Sequence, residues 1–213
     1  MANLITVARL PLLILIVVLL NAPDPTSRYI GAGLIVVLIL LDSVDGLVAR
    51  ARNELSLLGS VLDIMADRAV ELVLWISFAH LGLVPVAIPI IFVIRGTVVD
   101  SLRSIAVGAG TAPFKATRSR AGAFIMGSPF MRSGYGIAKL VAFVGLAVTN
   151  ALAAQAATGA VAQQTVDAYR FAFNVVSWVA VAYCVVRGAP VIVEAIPSLV
   201  GPHAPASSPD PTP

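Results

Sequence analysis

The chain has 213 residues, 59% of them hydrophobic and only 12% charged, with a mean hydropathy of +0.95. A soluble domain carries about 25% charged residues, so this chain lacks the charge to cover a soluble globule of its size. That excludes a typical cytosolic enzyme, a nucleic-acid binder and a disordered chain, and it points to an integral membrane protein. The single cysteine, Cys184, excludes a disulfide framework or a cysteine metal cluster. The net charge of +3 is modest, so the positions of the charges carry more information than their sum.

A helix rising 1.5 Å per residue crosses about 30 Å of hydrocarbon with about 20 apolar residues. The expected fold is therefore an all-α membrane protein with six transmembrane helices, over residues 5–21, 29–52, 56–82, 84–108, 132–155 and 166–196. The apolar run after Arg9 is followed by no small-x-small cleavage site and by five further spans, so it is taken as a span and not a signal peptide. Short linkers carry turn residues: Ala22-Pro23-Asp24-Pro25, Arg52-Asn53-Glu54, Gly82 to Pro85, and Ala156 to Gln164. Only the segment from Gly108 to Arg132 is long. One membrane domain, 1–197, is expected, followed by a disordered, proline-rich cytoplasmic tail, 198–213. Lysine and arginine set the orientation. An N-in, C-in arrangement places Arg9, Arg50, Arg52, Arg103, Lys115, Arg118, Arg120 and Arg132 inside, and leaves only Arg28 in the outer loops.

The segment from Asp42 to Glu71 is anomalous for a membrane chain. Asp42, Asp45, Asp63 and Asp67 interrupt strongly apolar runs. Four carboxylates at mid-span would cost on the order of 10 kcal/mol on insertion scales if they did nothing. At 100° per residue, Asp42, Asp45, Gly46 and Ala49 share one helical face, and Gly59, Asp63 and Asp67 share a face on the next helix. A short turn near Asn53 is expected to make the two helices antiparallel neighbours, with the carboxylates converging near the cytoplasmic end. Carboxylates so crowded need cations to stay ionised. All-oxygen ligation suits Mg²⁺, Mn²⁺ or Ca²⁺, and two adjacent metals are a known device for phosphoryl transfer. Arg50, one turn beyond Gly46, is placed to meet a phosphate. A purely structural alternative pairs Asp45 with Arg50 and Asp67 with Arg68, but the arginines are too few to neutralise the carboxylates.

The string D-x2-D-G-x2-A-R-x8-G-x3-D-x3-D, formed by Asp42, Asp45, Gly46, Ala49, Arg50, Gly59, Asp63 and Asp67, resembles the signature of the CDP-alcohol phosphatidyltransferases. All eight fixed positions match. The resemblance implies transfer of a phosphatidyl group from CDP-diacylglycerol to a small polar alcohol, with release of CMP. It implies two divalent cations, Mg²⁺ or Mn²⁺, held by Asp42, Asp45, Asp63 and Asp67, with Asp67 also the general base. Asp42, Gly46, Ala49, Arg50 and Gly59 would line the CDP pocket. The resemblance further implies a multi-pass enzyme of phospholipid biosynthesis in a bacterial inner (cell) membrane, a homodimer, and no nucleic-acid partner.

The acceptor is sought in the remaining charges. Arg95 and Arg103, in RGTVVDSLRSIA, fall about 80° apart around one helix. The stretch is similar to the R-E-x3-S-x2-R segment of bacterial phosphatidylglycerophosphate synthases, with Gly96 in place of Glu and Asp100 in place of Ser. Gly136 and Lys139 match two positions of their G-K-x-K-T stretch. Arg95, Arg103 and Lys139 are thus the expected acceptor residues, for glycerol 3-phosphate or another phosphorylated alcohol. Inositol phosphate, serine or another alcohol is the alternative. Structural readings stand beside these: Arg95 paired with Asp100 or a site aspartate, and Lys139 snorkelling to the interface. The basic loop of Lys115, Arg118 and Arg120 fits a topology signal or an anionic-lipid patch. Asn3, Thr6 and Arg9 recur every three residues, similar to N-x2-T-x2-R openings in the family near the nucleotide, or simply a helix start with an interfacial arginine. A cation transporter with a carboxylate site is the competing class, but it should show repeated halves, and the acidic motif occurs once.

Overall fold

A computed structural model describes residues 2–51, 57–108 and 128–200. Among these residues there are six helices: α1 (Ala2–Leu20), α2 (Pro25–Ala51), α3 (Leu57–His80), α4 (Ala87–Gly108), α5 (Pro129–Ala157) and α6 (Gln163–Val200). They coincide with the six expected spans to within a few residues at most ends. The Arg52–Glu54 turn, the basic loop and the tail beyond Val200 lie outside the described residues. By length and composition, Pro25–Asp42, Phe130–Ala157 and Gln163–Val193 are apolar enough to cross a membrane, and α1 adds the shorter apolar stretch Thr6–Leu20. α3 and α4 have their apolar runs broken by Asp63, Asp67, Arg68 and Glu71, and by Arg95, Asp100 and Arg103.

Local chemistry accounts for the helix ends. The Asp24 side chain accepts the Ser27 N–H at 2.7 Å, which caps α2 just ahead of Pro25 at the first helical position. Because the Ser27 N–H bonds Asp24 in its charged form, its carboxyl is held below the usual value. α3 and α5 both end on a glycine with positive φ, Gly82 (68°) and Gly159 (78°). In each case the glycine N–H reaches back to a carbonyl of the last turn (Ala79, Ala156), and the next N–H reaches one residue further (Phe78, Gln155). These are paired bonds that only a left-handed residue permits cheaply.

The helices close into a ring in which α1 packs on α2, α2 on α5, α5 on α6, α6 on α4, α4 on α3, and α3 on α1. The order differs from the sequence expectation in one respect that matters for the site. α2 and α3 are not extensive direct neighbours among the described residues; α1 packs against both. Inside the ring, Ile16, Leu38, Leu74, Trp75, Phe78, Phe92 and Leu146 are buried. Trp75 stacks on Phe92 at 5.0 Å and meets Phe143 edge-on at 4.8 Å. The outer faces are also apolar, with Ile14, Val18, Leu40, Ile94 and Phe171 exposed. Helices that are hydrophobic all round suit a membrane and not water. Alanines at 142, 147 and 151 are buried along α5, and small residues of this kind let helices approach closely where lipid gives no hydrophobic drive.

Candidate functional site

Three of the four expected metal-ligating carboxylates converge. Asp42 on α2 and Asp63 and Asp67 on α3 each offer an oxygen, and these oxygens lie within 4.8 Å of one another. Asp63 follows Gly59 by one turn, and Gly59 is half-buried on α3. The side chains of Asp45, Gly46, Ala49 and Arg50 lie outside the described residues, although their backbone continues α2. A residue of a third helix is set among these carboxylates. Arg9 of α1 is 2% exposed. Its Nη1 stands 2.6 Å from Asp42 Oδ1 and 3.9 Å from Asp63 Oδ1, and its Nη2 donates to Asp67 Oδ1 at 2.9 Å. Thr6, one turn earlier on α1, is buried as well. The N-terminal helix therefore contributes to the site and is not merely an interfacial start. One guanidinium facing three carboxylates leaves the cluster net negative, and an all-oxygen donor set with spare negative charge fits a hard divalent cation.

The acidic cluster opens onto a cavity of about 550 Å³. Asp42, Asp67 and Arg9 line it together with Arg68, Arg95, Lys139, Arg187, Tyr135 and Phe143. Two of the expected acceptor residues, Arg95 and Lys139, thus share a cavity with the aspartates. The Arg103 side chain lies outside the described residues.

The cations of this wall have different commitments. Glu71, 5% exposed, accepts from the Tyr135 hydroxyl at 2.5 Å, and ion-pairs with Lys139 at 3.0 Å and Arg68 at 3.1 Å. Arg68 also grips Asp100 with two nitrogens, at 3.0 and 3.1 Å. Arg95 differs from its structural alternative: Asp100 is taken by Arg68, and Arg95 Nε donates to the Cys184 carbonyl at 3.1 Å. Arg187 Nη1 donates to the Met131 carbonyl at 3.0 Å. Among the described residues, Arg95 and Arg187 line the cavity with main-chain partners and no carboxylate. Lys139, by contrast, is tied to Glu71 and lies over the Tyr135 ring at 4.4 Å.

Close backbone approach makes room for Arg95. A Cβ at Gly188 would stand 2.8 Å from Arg95 Nε and 3.1 Å from its Cγ. Gly96 is buried, and a Cβ there would be 3.9 Å from Arg68 Nη1.

Sequence reasoning gave no role to Glu71, Tyr135 or Arg187. Glu71 and Arg187 carried a usable signal, since each is an ionisable residue inside an apolar helix and such residues are costly unless they work. Tyr135 gave none, because its role depends on the helix facing it.

The family model for CDP-alcohol phosphatidyltransferase matches residues 1–186. No curated protein matches the chain significantly. The chain belongs to the CDP-alcohol phosphatidyltransferase family, and is therefore a transferase of phosphate-linked groups and an integral membrane protein of phospholipid synthesis.

Proposed function

We propose that this transferase moves the phosphatidyl group of CDP-diacylglycerol to a phosphorylated alcohol, glycerol 3-phosphate first among them, and releases CMP. The observation that carries the acceptor assignment is that Asp67 shares one cavity with Arg95 and Arg187, two cations that bond main-chain carbonyls, Arg187 also lying over the Tyr135 ring at 5.6 Å, and that have no carboxylate partner among the described residues. A phosphate dianion offers them charge-assisted, bidentate contacts. Free inositol brings no charge to that wall, and serine brings a single carboxylate next to an ammonium that the same cations repel, whereas a phosphate brings a dianion. Lys139, fixed by Glu71, adds to the same field, and Arg103 belongs to the expected acceptor set.

Asp42, Asp45, Asp63 and Asp67 would hold two divalent cations, Mg²⁺ or Mn²⁺. Bound there, the metals supply charge neutralisation at the pyrophosphate and polarisation of the phosphorus under attack. Asp42, Gly46, Ala49, Arg50 and Gly59 would make up the CDP side, with Arg50 as the residue that meets the phosphate. Asp67 stands between the two sides and takes the proton of the acceptor hydroxyl as the new O–P bond forms and the P–O bond to CMP breaks. The phosphate wall orients the acceptor hydroxyl toward Asp67 and converts an encounter into a positioned attack. In this reading the chain crosses the membrane six times, N-in and C-in, as one domain over 1–197 with a tail over 198–213. It works at the cytoplasmic side of a bacterial inner membrane, as a homodimer.

The test is CMP release from CDP-diacylglycerol with Mg²⁺ or Mn²⁺ across glycerol 3-phosphate, inositol phosphate, serine and inositol. Turnover is expected with the phosphorylated acceptors, to require the metal, and to vanish in Asp63→Asn with the fold retained. Preference for serine or free inositol would overturn the acceptor assignment, and near-normal turnover in Asp63→Asn would overturn the metal assignment.

A further inference from the structure

We infer that Arg9 is a built-in counter-ion that competes with divalent cations for the aspartate oxygens, and so sets how tightly the enzyme holds its metal. The inference rests on the reading that Asp42, Asp63 and Asp67 are metal ligands.

Three observations support it. First, the contacts involve the same atoms: Arg9 Nη1 lies 2.6 Å from Asp42 Oδ1, and Nη2 lies 2.9 Å from Asp67 Oδ1. Both carboxylates belong to the group whose oxygens lie within 4.8 Å of one another. A cation entering that group must share these oxygens with the guanidinium or displace it, and it brings like charge to its side. Second, Arg9 is not a surface partner. Its side chain is 3% exposed, whereas those of Asp63 and Asp67 are 51% exposed. The arginine thus reaches the carboxylates from inside the ring, while two of the aspartates remain open to an arriving ion. Third, the geometry uses a guanidinium specifically. One planar fork spans two carboxylates carried by α2 and α3, both of which pack on α1, and a lysine ammonium has no second nitrogen for this. Arg9 thereby joins the metal-binding helices while lowering the field that would draw a metal in.

The experiment titrates Mn²⁺ into the purified full chain in detergent without lipid substrate, following free Mn²⁺ by electron paramagnetic resonance and Tm with and without the ion. Wild type, Arg9→Met, Arg9→Lys and Asp63→Asn are compared. Arg9→Met is expected to bind Mn²⁺ about ten-fold tighter or more, the scale of removing one charge at this range. Its Tm is expected to be lower without added metal and to rise further on adding Mn²⁺. Arg9→Lys, which keeps the charge but loses one of the two contacts, is expected to fall between, and it carries the test if Arg9→Met does not fold. Equal or weaker Mn²⁺ binding in the Arg9 variants, with binding still lost in Asp63→Asn, would overturn the competition and leave the metal site standing. Absence of Mn²⁺ binding in the wild type would overturn both.

Discussion

Arg68 and Asp100 meet edge-on across α3 and α4, with Nε and Nη2 each donating to one carboxylate oxygen at 3.0 and 3.1 Å. This pairing governs the chemistry of the neighbouring cavity wall. Asp100 lies five positions after Arg95 on α4, about 140° away around the helix, and is held by Arg68. Arg95 instead hydrogen-bonds a main-chain carbonyl of α6, which leaves its charge available to a ligand.

Arg95→Ala and Arg187→Ala should each raise the acceptor KM and leave the KM for CDP-diacylglycerol nearly unchanged. A charge-assisted contact to phosphate contributes about 1.5–3 kcal/mol, so the change should be roughly 10-fold to 100-fold. Gly188→Ala should act in the same direction through crowding of Arg95, without removing a charge. Steady-state kinetics with each substrate varied in turn checks this. A raised donor KM with an intact acceptor KM would assign these arginines to the nucleotide.

Glu71→Ala should destabilise the protein strongly. Its carboxylate is buried and answers Lys139, Arg68 and Tyr135 together, and removing one partner of a buried ion pair costs about 3–5 kcal/mol because the other charge is stranded. The double variant Glu71→Ala with Lys139→Met should recover part of the loss. A double-mutant cycle in detergent, read by thermal or denaturant unfolding, measures the coupling. Additive effects would mean that the pair contributes nothing.

Gly145→Ala should weaken the α5–α6 contact. A Cβ at that position would collide with the Phe173 ring, which packs directly over the glycine. Overpacking of this kind costs about 1–3 kcal/mol. Phe173→Leu in the same chain should relieve part of the cost. A Tm series over the two single variants and the double variant decides it, and an unchanged Tm in Gly145→Ala would show that the ring moves aside freely.

Asp24→Ala should lower Tm at neutral pH, and Asp24→Asn should lower it less, since asparagine also caps helices. The carboxyl of Asp24 is held below its ordinary value by the Ser27 N–H. Its contribution is therefore full above the unfolded aspartate value and is lost as pH falls through the lower folded value. The Tm difference between wild type and Asp24→Asn should shrink in acid through that window. A difference that stays constant with pH would show that the charge of Asp24 plays no part.

The sequence by itself determined what depends on one helix at a time. Hydropathy located six helices, because a span needs about 20 apolar residues wherever it lies. The linkers Ala22-Pro23-Asp24-Pro25, Gly82 to Pro85 and Ala156 to Gln164 marked helix ends, because turn residues break a helix locally. The three- and four-residue spacing of Asp42, Asp45, Asp63 and Asp67 put carboxylates on single helical faces. The matched motif also marked the family, whose model covers residues 1–186. Tertiary structure decided which faces meet. Among the described residues α2 and α3 share few direct contacts and α1 packs on both, and that placement brings Arg9, 58 positions from Asp67, into the acidic cluster. The same applies to Arg68 choosing Asp100, to Glu71 gathering Lys139 and Tyr135, and to Arg187 reaching the cavity from α6. Periodicity fixes where a side chain points on its own helix, but the partner it meets is set by non-local packing. In a membrane nearly every face is apolar, so small residues and buried charges choose the neighbours, and hydrophobic pattern does not.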